Sequence, residues 1–370
     1  MCIIIKRAQF EMTTMHVVAP KKQLLNFLSG SVYDSNTVNF WLQKINPLWS
    51  THDMLGRIVK KQTIADDMVS LTIQCNQRMQ FGVAGQHHPV HVEIHGRRYE
   101  RTYSLSQIDA HHVKLTLKKI EGGVVSTWLC EQAQVGDIIE FGQPYGDMLV
   151  TTQSQKQLLL LAAGSGITPM YSMLAGLEKS GQLKDYDLHL MYWAQHATGL
   201  AFKAEFEAWQ QKYPSFKFTA LCTRDEPAAE RINDKHAALI ADLAQRSVFA
   251  CGPSGFVNAA ERVFAQAKLF KGEAFSLTPI ETNDIGVVNI TLTKSNKIVT
   301  VAKGQPILIG LEKAQLKPTH GCRMGICNKC SCTKVSGATK NLNDRSENTE
   351  PHSSLRLCVN SAQTDLVLDL

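Results

Sequence analysis

A cluster of cysteines near the carboxyl end constrains this chain more than any other feature. In the stretch "HGCRMGICNKCSC", residues 320–332, four cysteines fall within eleven positions. The N-terminal residues lack the charge-then-apolar order of a secretory signal peptide, so we expect a cytoplasmic protein. In a reducing compartment, clustered cysteines favour a metal site over a disulfide framework. We therefore expect this part of the chain to fold around bound metal.

Three of these cysteines, with a fourth further on, have the spacing of an iron–sulfur site. Cys322, Cys327 and Cys330 form the pattern C-x4-C-x2-C, and Cys358 follows them. This spacing is typical of plant-type [2Fe-2S] ligation, in which four thiolates converge on two irons. A zinc site usually pairs two C-x2-C knuckles or adds histidines at knuckle spacing. Zinc is thus the alternative metal, and Cys332 is the alternative to Cys330 as a ligand.

The residues around the cysteines predict a small β-rich domain. The stretch "GVVNITLTKSNKIVTVAKGQPIL", residues 286–308, reads as two alternating strands around a polar turn, and a short helix follows. With the cysteine spacing, residues 284–370 resemble a plant-type ferredoxin of β-grasp fold. The resemblance implies four cluster ligands, which are Cys322, Cys327, Cys330 and Cys358.

An upstream segment carries the pattern of a flavin site. "RTYSLS", residues 101–106, ends one of several short strands that Gly and Pro separate at intervals typical of a small antiparallel barrel. In order and spacing these pieces resemble the flavin-binding domain of the ferredoxin–NADP reductase superfamily, which implies FAD. The resemblance implies that Tyr103 lies against the isoalloxazine ring and that Ser104 is catalytic near its N5 atom. The other implied contacts are with the flavin phosphates, through Arg101, Gly122, Gly123 and Ser126.

The next segment predicts a nucleotide-binding domain. "QLLLLAAGSGITPMYSMLAGL", residues 157–177, reads as a buried strand, a glycine turn and a helix, and such a turn lets a phosphate approach the helix N-terminus. Strand-like and helical stretches then alternate, including a helix near 234–245, which indicates a doubly wound parallel sheet. "GSGITP" and "CGP" resemble the nicotinamide-domain motifs of the same superfamily.

That resemblance also implies residue roles in this domain. It places Cys251, as a second catalytic residue, and Gly252 beside the nicotinamide, while Glu273 and Phe275 match a place near the flavin. The implied dinucleotide-binding residues of the glycine turn are Gly164, Gly166 and Thr168. Thr223 with Arg224 and Arg231 forms a basic end of the site that favours a 2′-phosphate, so NADPH is expected rather than NADH.

The predicted architecture is a multidomain α+β protein. Its expected segments are a partly helical N-terminal extension (1–50), an antiparallel FAD-binding β-barrel (51–152), a doubly wound NAD(P)-binding α/β domain (153–272), a linker (273–283) and a β-grasp ferredoxin domain (284–370). No apolar run approaches the roughly 18–20 residues that a membrane span needs. The chain has a net charge of +6, but it contains no basic run typical of nucleic-acid modules. No nucleic-acid partner is therefore expected.

These segments predict a reductase that passes electrons from NADPH through FAD to a [2Fe-2S] cluster and on to a partner protein. The N-terminal extension and the position of the ferredoxin at the end of the chain resemble the reductases of membrane di-iron fatty acyl desaturases or hydroxylases. The protein is therefore expected to act at the inner face of the membrane, where it would meet such a partner. Alkane or aromatic-ring oxygenases and hybrid-cluster enzymes are alternative acceptors. A redox-sensing regulatory protein and a reductase of small diffusible acceptors are further alternatives.

Overall fold

The computed structural model describes residues 35–150, 156–276, 286–343 and 345–370. The chain divides into two compact units, residues 1–51 and residues 52–370. In the described part of the first unit, helix α1 (Ser35–Ile45) precedes a short turn. There the Asn39 side-chain oxygen accepts hydrogen bonds from the Thr51 N–H and hydroxyl, both at 2.8 Å. The first 34 residues of the predicted extension lie outside the described residues.

The second unit begins with a closed antiparallel barrel of six strands, as predicted. The strands are β1 (Met54–Ala65), β2 (Met68–Cys75), β3 (His87–Ile94), β4 (Arg97–Gln107), β5 (His112–Lys118) and β6 (Ile138–Phe141), in the barrel order β1-β2-β5-β4-β3-β6. The short helix α2 (Val124–Thr127) lies between β5 and β6. A two-residue turn, His95–Gly96, joins β3 to β4, and both of its residues have positive φ (51° and 72°), as in a type I′ hairpin turn.

A five-stranded parallel sheet follows the barrel, again as predicted, with the strand order β11-β10-β7-β8-β9. In chain order its elements are β7 (Gln157–Ala163), α3 (Ile167–Lys179), β8 (Asp187–Ala194), α4 (Lys203–Lys212), β9 (Phe216–Cys222), α5 (Asp234–Ala238), β10 (Ser247–Pro253), α6 (Ser254–Val263) and β11 (Leu269–Ser276). The leucines of β7 are fully buried because the sheet has a hydrophobic core on each face.

Two local features differ from the sequence expectation. The helix expected near 234–245 ends at Ala238, and a separate 3₁₀ turn spans Leu243–Gln245. Ile240 and Leu243 are buried in a core of the sheet, so tertiary packing overrides helix propensity there. Strand β11 extends through Ser276, four residues into the segment expected to be a linker, because it pairs with β10 over its length.

The carboxyl-terminal part of the chain folds as a β-grasp domain. Its elements are β12 (Val287–Leu292), β13 (Lys297–Ala302), α7 (Ile307–Lys313), β14 (Ser331–Ser336), β15 (Thr339–Asn341), β16 (Glu347–Asn348), β17 (Ser353–Arg356), β18 (Asn360–Ala362) and β19 (Leu366–Asp369). The main sheet has the order β13-β12-β19-β14-β17, with β12 and β19 parallel and the other pairs antiparallel. Helix α7 packs into the core under this sheet. Across the described residues of the chain, no helix has the length and apolar character needed to traverse a bilayer.

Candidate functional site

A cavity of about 370 Å³ lies where the barrel, the turn after β7 and the cysteine loop (residues 320–330) meet. This volume is in the range of small-molecule sites. From the barrel its lining includes Arg101, Tyr103, Ser104, Gly123 and Ser126, and from the cysteine loop Cys322, Arg323 and Met324. The structure therefore brings together five of the six residues predicted to contact the flavin. The sixth, Gly122, has a φ of 70° and does not line the cavity.

Arg101, one of two arginines that line this cavity, has no carboxylate partner among the described residues. Arg101 Nη1 donates to the carbonyl oxygen of Glu100 at 2.6 Å, and among the described residues no carboxylate lies within ion-pair distance of Arg101. Burial and, after it, the nearby charge of Arg323 lower the pKa of Arg101. Because the pKa of a guanidinium lies far above neutral pH, Arg101 stays protonated. The cavity is therefore positively charged at this end and suited to an anionic ligand.

A buried hydrogen-bonded chain links the barrel to the edge of the parallel sheet. His87 Nδ1 lies 3.0 Å from Ser104 Oγ, and His87 Nε2 lies 2.5 Å from Glu273 Oε2. All three residues are at least nine-tenths buried. Phe275, which also lines the cavity, has its ring centroid 6.0 Å from that of His87. The arrangement can carry a proton between a cavity-lining hydroxyl and a carboxylate.

Sequence reasoning missed His87. It is the first of two adjacent histidines in "GQHHPV", and nothing in the pattern separates it from its neighbour. His88 points the other way, and its Nε2 donates to the Gln80 carbonyl oxygen at 3.0 Å. Burial lowers the pKa of His88 to about 4. Only the strand register, which places His87 directly opposite Ser104, distinguishes the two.

A second cavity, of about 630 Å³, lies at the carboxyl ends of the parallel strands. Such an edge is the usual ligand-binding position of a doubly wound sheet. Its lining includes Gly164, Trp193, His196, Thr223, Arg231, Pro253 and Phe256. Lys118 lines both cavities, while Ser165 and Thr168 of the glycine turn line the first. The two cavities therefore adjoin at the turn after β7.

Two predicted residues of this region are buried below the cavities. A Cβ on Gly166 would lie 2.0 Å from the carbonyl oxygen of Cys251, so this glycine is required for the close approach of the turn to β10. Cys251 is fully buried, and burial followed by the charge of Glu273 raises its thiol pKa well above the usual range. Neither Cys251 nor Gly252 lines either cavity. The predicted contact of Cys251 with a nicotinamide stays a prediction.

The predicted cationic end of the nucleotide site contains one of its two arginines. Arg231 lines the second cavity with Thr223, whereas Arg224 does not. Arg224 is exposed, and its backbone N–H donates to the Gln195 oxygen at 2.9 Å. The neighbouring Asp225 carboxylate is 2.7 Å from both His196 Nδ1 and the Ala197 N–H.

The cysteine loop and β17 bring the four predicted ligands together as two pairs. The backbone N–H groups of Cys322 and Cys327 donate to each other's sulfur atoms at 3.2 and 3.3 Å. A hydrogen bond from the Cys327 thiol, opposed by burial and assisted by backbone N–H groups, lowers the pKa of Cys322 to about 6. A hydrogen bond from the Cys358 thiol, again opposed by burial, lowers the pKa of Cys330 to about 7.

This pairing is compatible with a binuclear centre. Among the described residues, no group of three or more His, Cys, Asp or Glu side chains converges as one metal ion requires. In a [2Fe-2S] cluster each iron takes two protein ligands, so two thiol pairs match it. Cys332 stands apart on β14, where burial and then the charge of Cys330 raise its pKa to about 12. The donor set therefore fits the predicted cluster, with Cys332 outside it.

An ion pair joins the cysteine loop to the barrel. Lys329, between two of the paired cysteines, contacts both carboxylate oxygens of Glu100 at 2.6 and 2.7 Å. His91, directly opposite on β3, lies 2.8 Å from the same carboxylate. Glu100 is adjacent in sequence to Arg101 of the first cavity. The loop is thus anchored beside the cavity that it helps to line.

Comparisons with known proteins agree with this architecture. The family model described as "Oxidoreductase FAD-binding domain" matches residues 56–149, and "Oxidoreductase NAD-binding domain" matches residues 160–262. The chain is 30% identical to the NADPH oxidoreductase of Mycobacterium tuberculosis over 341 residues, covering 89% of this chain and 88% of the relative. It is 24% identical to the glycine betaine monooxygenase reductase subunit of Chromohalobacter salexigens over 336 residues, covering 81% and 90%.

A solved structure extends the fold comparison to the carboxyl terminus. The structure of phthalate dioxygenase reductase, described as a modular structure for electron transfer from pyridine nucleotides to [2Fe-2S], matches with a TM-score of 0.64 at 23% identity. The match covers 86% of this chain and 98% of that one. At this identity the likeness concerns the fold alone.

Proposed function

Because the chain belongs to the ferredoxin reductase family of FAD- and NAD-binding oxidoreductases, we propose that it passes electrons from NADPH through FAD to a [2Fe-2S] cluster and on to a partner oxygenase. The cluster ligands in this proposal are Cys322, Cys327, Cys330 and Cys358. The observation that carries it is that Cys322 lines the same cavity as Tyr103 and Ser104. A metal centre on that loop lies beside the flavin, as a one-electron relay requires.

The bound groups supply two-electron exchange with the nicotinamide and one-electron exchange with the partner. The chain's own residues bind and orient them. Arg101 offers a guanidinium fork to the flavin phosphates, and Gly123 and Ser126 line the same cavity. Tyr103 packs against the barrel core and presents its ring to the cavity. Together these residues fix the flavin between the barrel and the cysteine loop.

The buried chain of Ser104, His87 and Glu273 offers a path for the proton that leaves the flavin when its electrons pass to the cluster. Ser104 Oγ lines the cavity, and His87 holds it at 3.0 Å. Glu273 holds the far ring nitrogen of His87 at 2.5 Å, which fixes the orientation of the imidazole. In this proposal NADPH would supply the hydride at the flavin N5 position, where Ser104 Oγ would hold a hydrogen bond. The proton released there when the electrons pass on would move through His87 toward Glu273. Burial keeps water away from this path.

NADPH is the proposed nucleotide. Thr223 and Arg231 line the cavity at the edge of the sheet and offer a hydroxyl and a cation to a 2′-phosphate. Two carboxylates, Asp66 and Asp67, also line this cavity, and both have partners in the protein. Asp67 pairs with Lys118 at 2.5 Å, and Asp66 accepts a hydrogen bond from the Thr198 hydroxyl. Because Arg224 does not line this cavity, the proposed cation for the 2′-phosphate is Arg231.

The proposed acceptor is a membrane di-iron fatty acyl desaturase. Its support is the resemblance of the N-terminal extension and of the domain order to the reductases of such enzymes. Relatives that serve a glycine betaine monooxygenase and a 3-ketosteroid-9-alpha-monooxygenase support a wider class of oxygenases. Electron delivery should be compared between desaturase-containing membranes and a purified ring-hydroxylating oxygenase. If NADPH oxidation is faster with the oxygenase but not with the desaturase-containing membranes, the desaturase is not the partner and the oxygenase takes its place in the proposal.

A spectral titration tests the relay itself. The purified protein should show flavin bands and broad cluster absorbance, and anaerobic NADPH should bleach both. Cys327→Ser should retain NADPH-dependent reduction of ferricyanide and lose reduction of cytochrome c. Cys332→Ser, in the same domain, is the matched control and should keep both activities. The proposal is wrong if cluster absorbance is absent after anaerobic reconstitution, or if Cys327→Ser keeps both activities.

A further inference from the structure

We propose that Arg323 of the cysteine loop and Arg101 of the barrel together form a two-arginine site for the flavin phosphates. The carboxyl-terminal domain then completes the flavin site rather than only receiving electrons from it. This inference rests on the proposed function, because it requires a flavin in the first cavity. It adds a binding residue from a domain that the flavin motifs do not include.

The charges around the cavity point to an anionic ligand between these two arginines. Both residues line the cavity, Arg101 from the barrel and Arg323 from the cysteine loop. Among the described residues one carboxylate, Glu312 of α7, pairs with Arg323, and none pairs with Arg101. Two guanidinium groups therefore share a single negative charge. The two like charges at the cavity wall repel each other, and an anion bound between them would offset this repulsion. The two phosphate groups of a flavin dinucleotide would supply that negative charge.

The hydrogen bonds of Arg323 use three of its five N–H donors, which leaves one on Nη1 and the one on Nε. Its Nη1 donates to Glu312 at 2.9 Å, and its Nη2 donates to Glu312 and to His320 Nε2, the latter at 2.8 Å. Its Nε is buried and has no partner in the protein. A buried donor without an acceptor is unfavourable, so a native structure usually supplies one. A phosphate oxygen in the cavity would be an acceptor of the right charge for the remaining Nη1 donor of this guanidinium.

The position of Arg323 is fixed by the same contacts. The residue has a φ of 60°, an uncommon conformation for a side chain of this size, and Glu312 and His320 hold its guanidinium in place. A preoriented planar fork loses little freedom when it binds a phosphate. By thermodynamic reciprocity, flavin binding would also favour the docked position of the cysteine loop.

The test separates phosphate binding from a role in holding the loop. Apoprotein of the full chain is titrated by calorimetry with FAD, FMN and riboflavin, which lacks a phosphate. Arg323→Gln should weaken FAD and FMN about tenfold and leave riboflavin unchanged. Arg345→Gln is the control, because Arg345 is an arginine of the same domain, also at positive φ (64°), that does not line the cavity. It should bind all three as the wild type does.

Glu312→Gln supplies the second comparison. This change breaks the same contact with α7 but leaves the Arg323 charge in place, so FAD affinity should be retained or increased. The inference is overturned if Arg323→Gln binds FAD as the wild type does, if it weakens riboflavin as much as FAD, or if Glu312→Gln loses as much affinity as Arg323→Gln. A wild-type protein that binds none of the three flavins would instead overturn the proposed function, and this inference with it.

Discussion

Replacing Glu100 by glutamine is expected to loosen the cysteine loop from the barrel. The glutamine keeps the size of the side chain and removes the charge that Lys329 and His91 contact. Lys329 lies between two proposed cluster ligands, so its anchor sets where the cluster is held relative to the flavin cavity. Flavin reduction by NADPH uses other residues and should be unaffected. Electron transfer from the flavin to the cluster should become slower.

The magnitude follows from how exposed the ion pair is. The side chain of Lys329 is 40% exposed and that of Glu100 is 15% exposed. A fully exposed pair contributes at most about 1 kcal/mol, and a hydrogen bond to a charged group in a sheltered position about 1.5–3 kcal/mol. Between these limits we expect about 1–2 kcal/mol for this contact. That lowers the ratio of docked to undocked loop about 5- to 30-fold.

The assay is anaerobic stopped-flow spectroscopy of the oxidised protein mixed with NADPH. In Glu100→Gln the flavin should bleach at the wild-type rate, while the cluster bleaches more slowly and cytochrome c reduction falls. Lys329→Gln should give a similar result, and the double variant should be little worse than Glu100→Gln alone, because the two residues share one contact. Glu93→Gln, an exposed glutamate on the neighbouring strand β3, is the matched control.

Two results would refute this reasoning. One is a wild-type rate of cluster reduction in Glu100→Gln, and the other is an equal loss of ferricyanide and cytochrome c reduction. The pH dependence gives an independent check. Burial would raise the pKa of Glu100, but hydrogen bonds from His91 and Lys329 outweigh it and lower the pKa from 4.5 to about 2. The stabilisation is therefore complete above about pH 4.5 and is lost as the pH falls toward 2, so the wild-type melting temperature should fall more steeply there than that of the variant.

Three further changes test the other parts of the site. Gly166→Ala should lower the melting temperature of the nucleotide-binding domain by roughly 5–10 °C, because the new Cβ would lie 2.0 Å from the Cys251 carbonyl oxygen. Arg231→Gln should raise the KM for NADPH about tenfold and leave that for NADH unchanged, whereas Arg224→Gln should change neither in steady-state assays. Glu273→Gln should slow electron transfer from the reduced flavin to the cluster in stopped flow at least about tenfold without changing the KM for NADPH.

Each of these changes has a control within the same domain. Gly255→Ala meets open space and should keep the wild-type melting temperature. Glu261→Gln removes an exposed charge from α6 and should leave electron transfer from the reduced flavin to the cluster unchanged. A stable Gly166→Ala protein, equal KM changes in the two arginine variants, or equal rates for Glu273→Gln and Glu261→Gln would contradict the respective prediction.

The sequence was sufficient where chemistry depends on residues close together in the chain. The spacing of the cysteines predicted a set that the fold brings together as two pairs, and the strand-turn-helix patterns predicted the barrel and the parallel sheet. It was insufficient where the site depends on pairing between distant elements. The contact of His87 with Glu273 joins residues 186 positions apart, and it arises from how the barrel meets strand β11. No local sequence pattern predicts such a contact.

The same distinction applies to the nucleotide site. Arg224 follows directly from a motif, yet it is Arg231, further along the loop, that lines the cavity. Cys251 also follows from a motif, but its burial depends on the approach of the glycine turn and on a neighbouring strand. Motifs therefore located the loops correctly, while side-chain exposure within each loop was set by tertiary packing.

The two-residue turn His95–Gly96 gives the barrel an unexpected sensitivity to changes in length. It fixes which residues of β3 and β4 face each other, and so it makes Glu100 face the cysteine loop while the adjacent Arg101 faces the cavity. Neighbouring side chains on a strand point to opposite faces, so a shift of pairing by one residue would exchange them. A single amino acid inserted at this exposed turn, far from either cavity, would then displace the loop anchor and the phosphate ligand together.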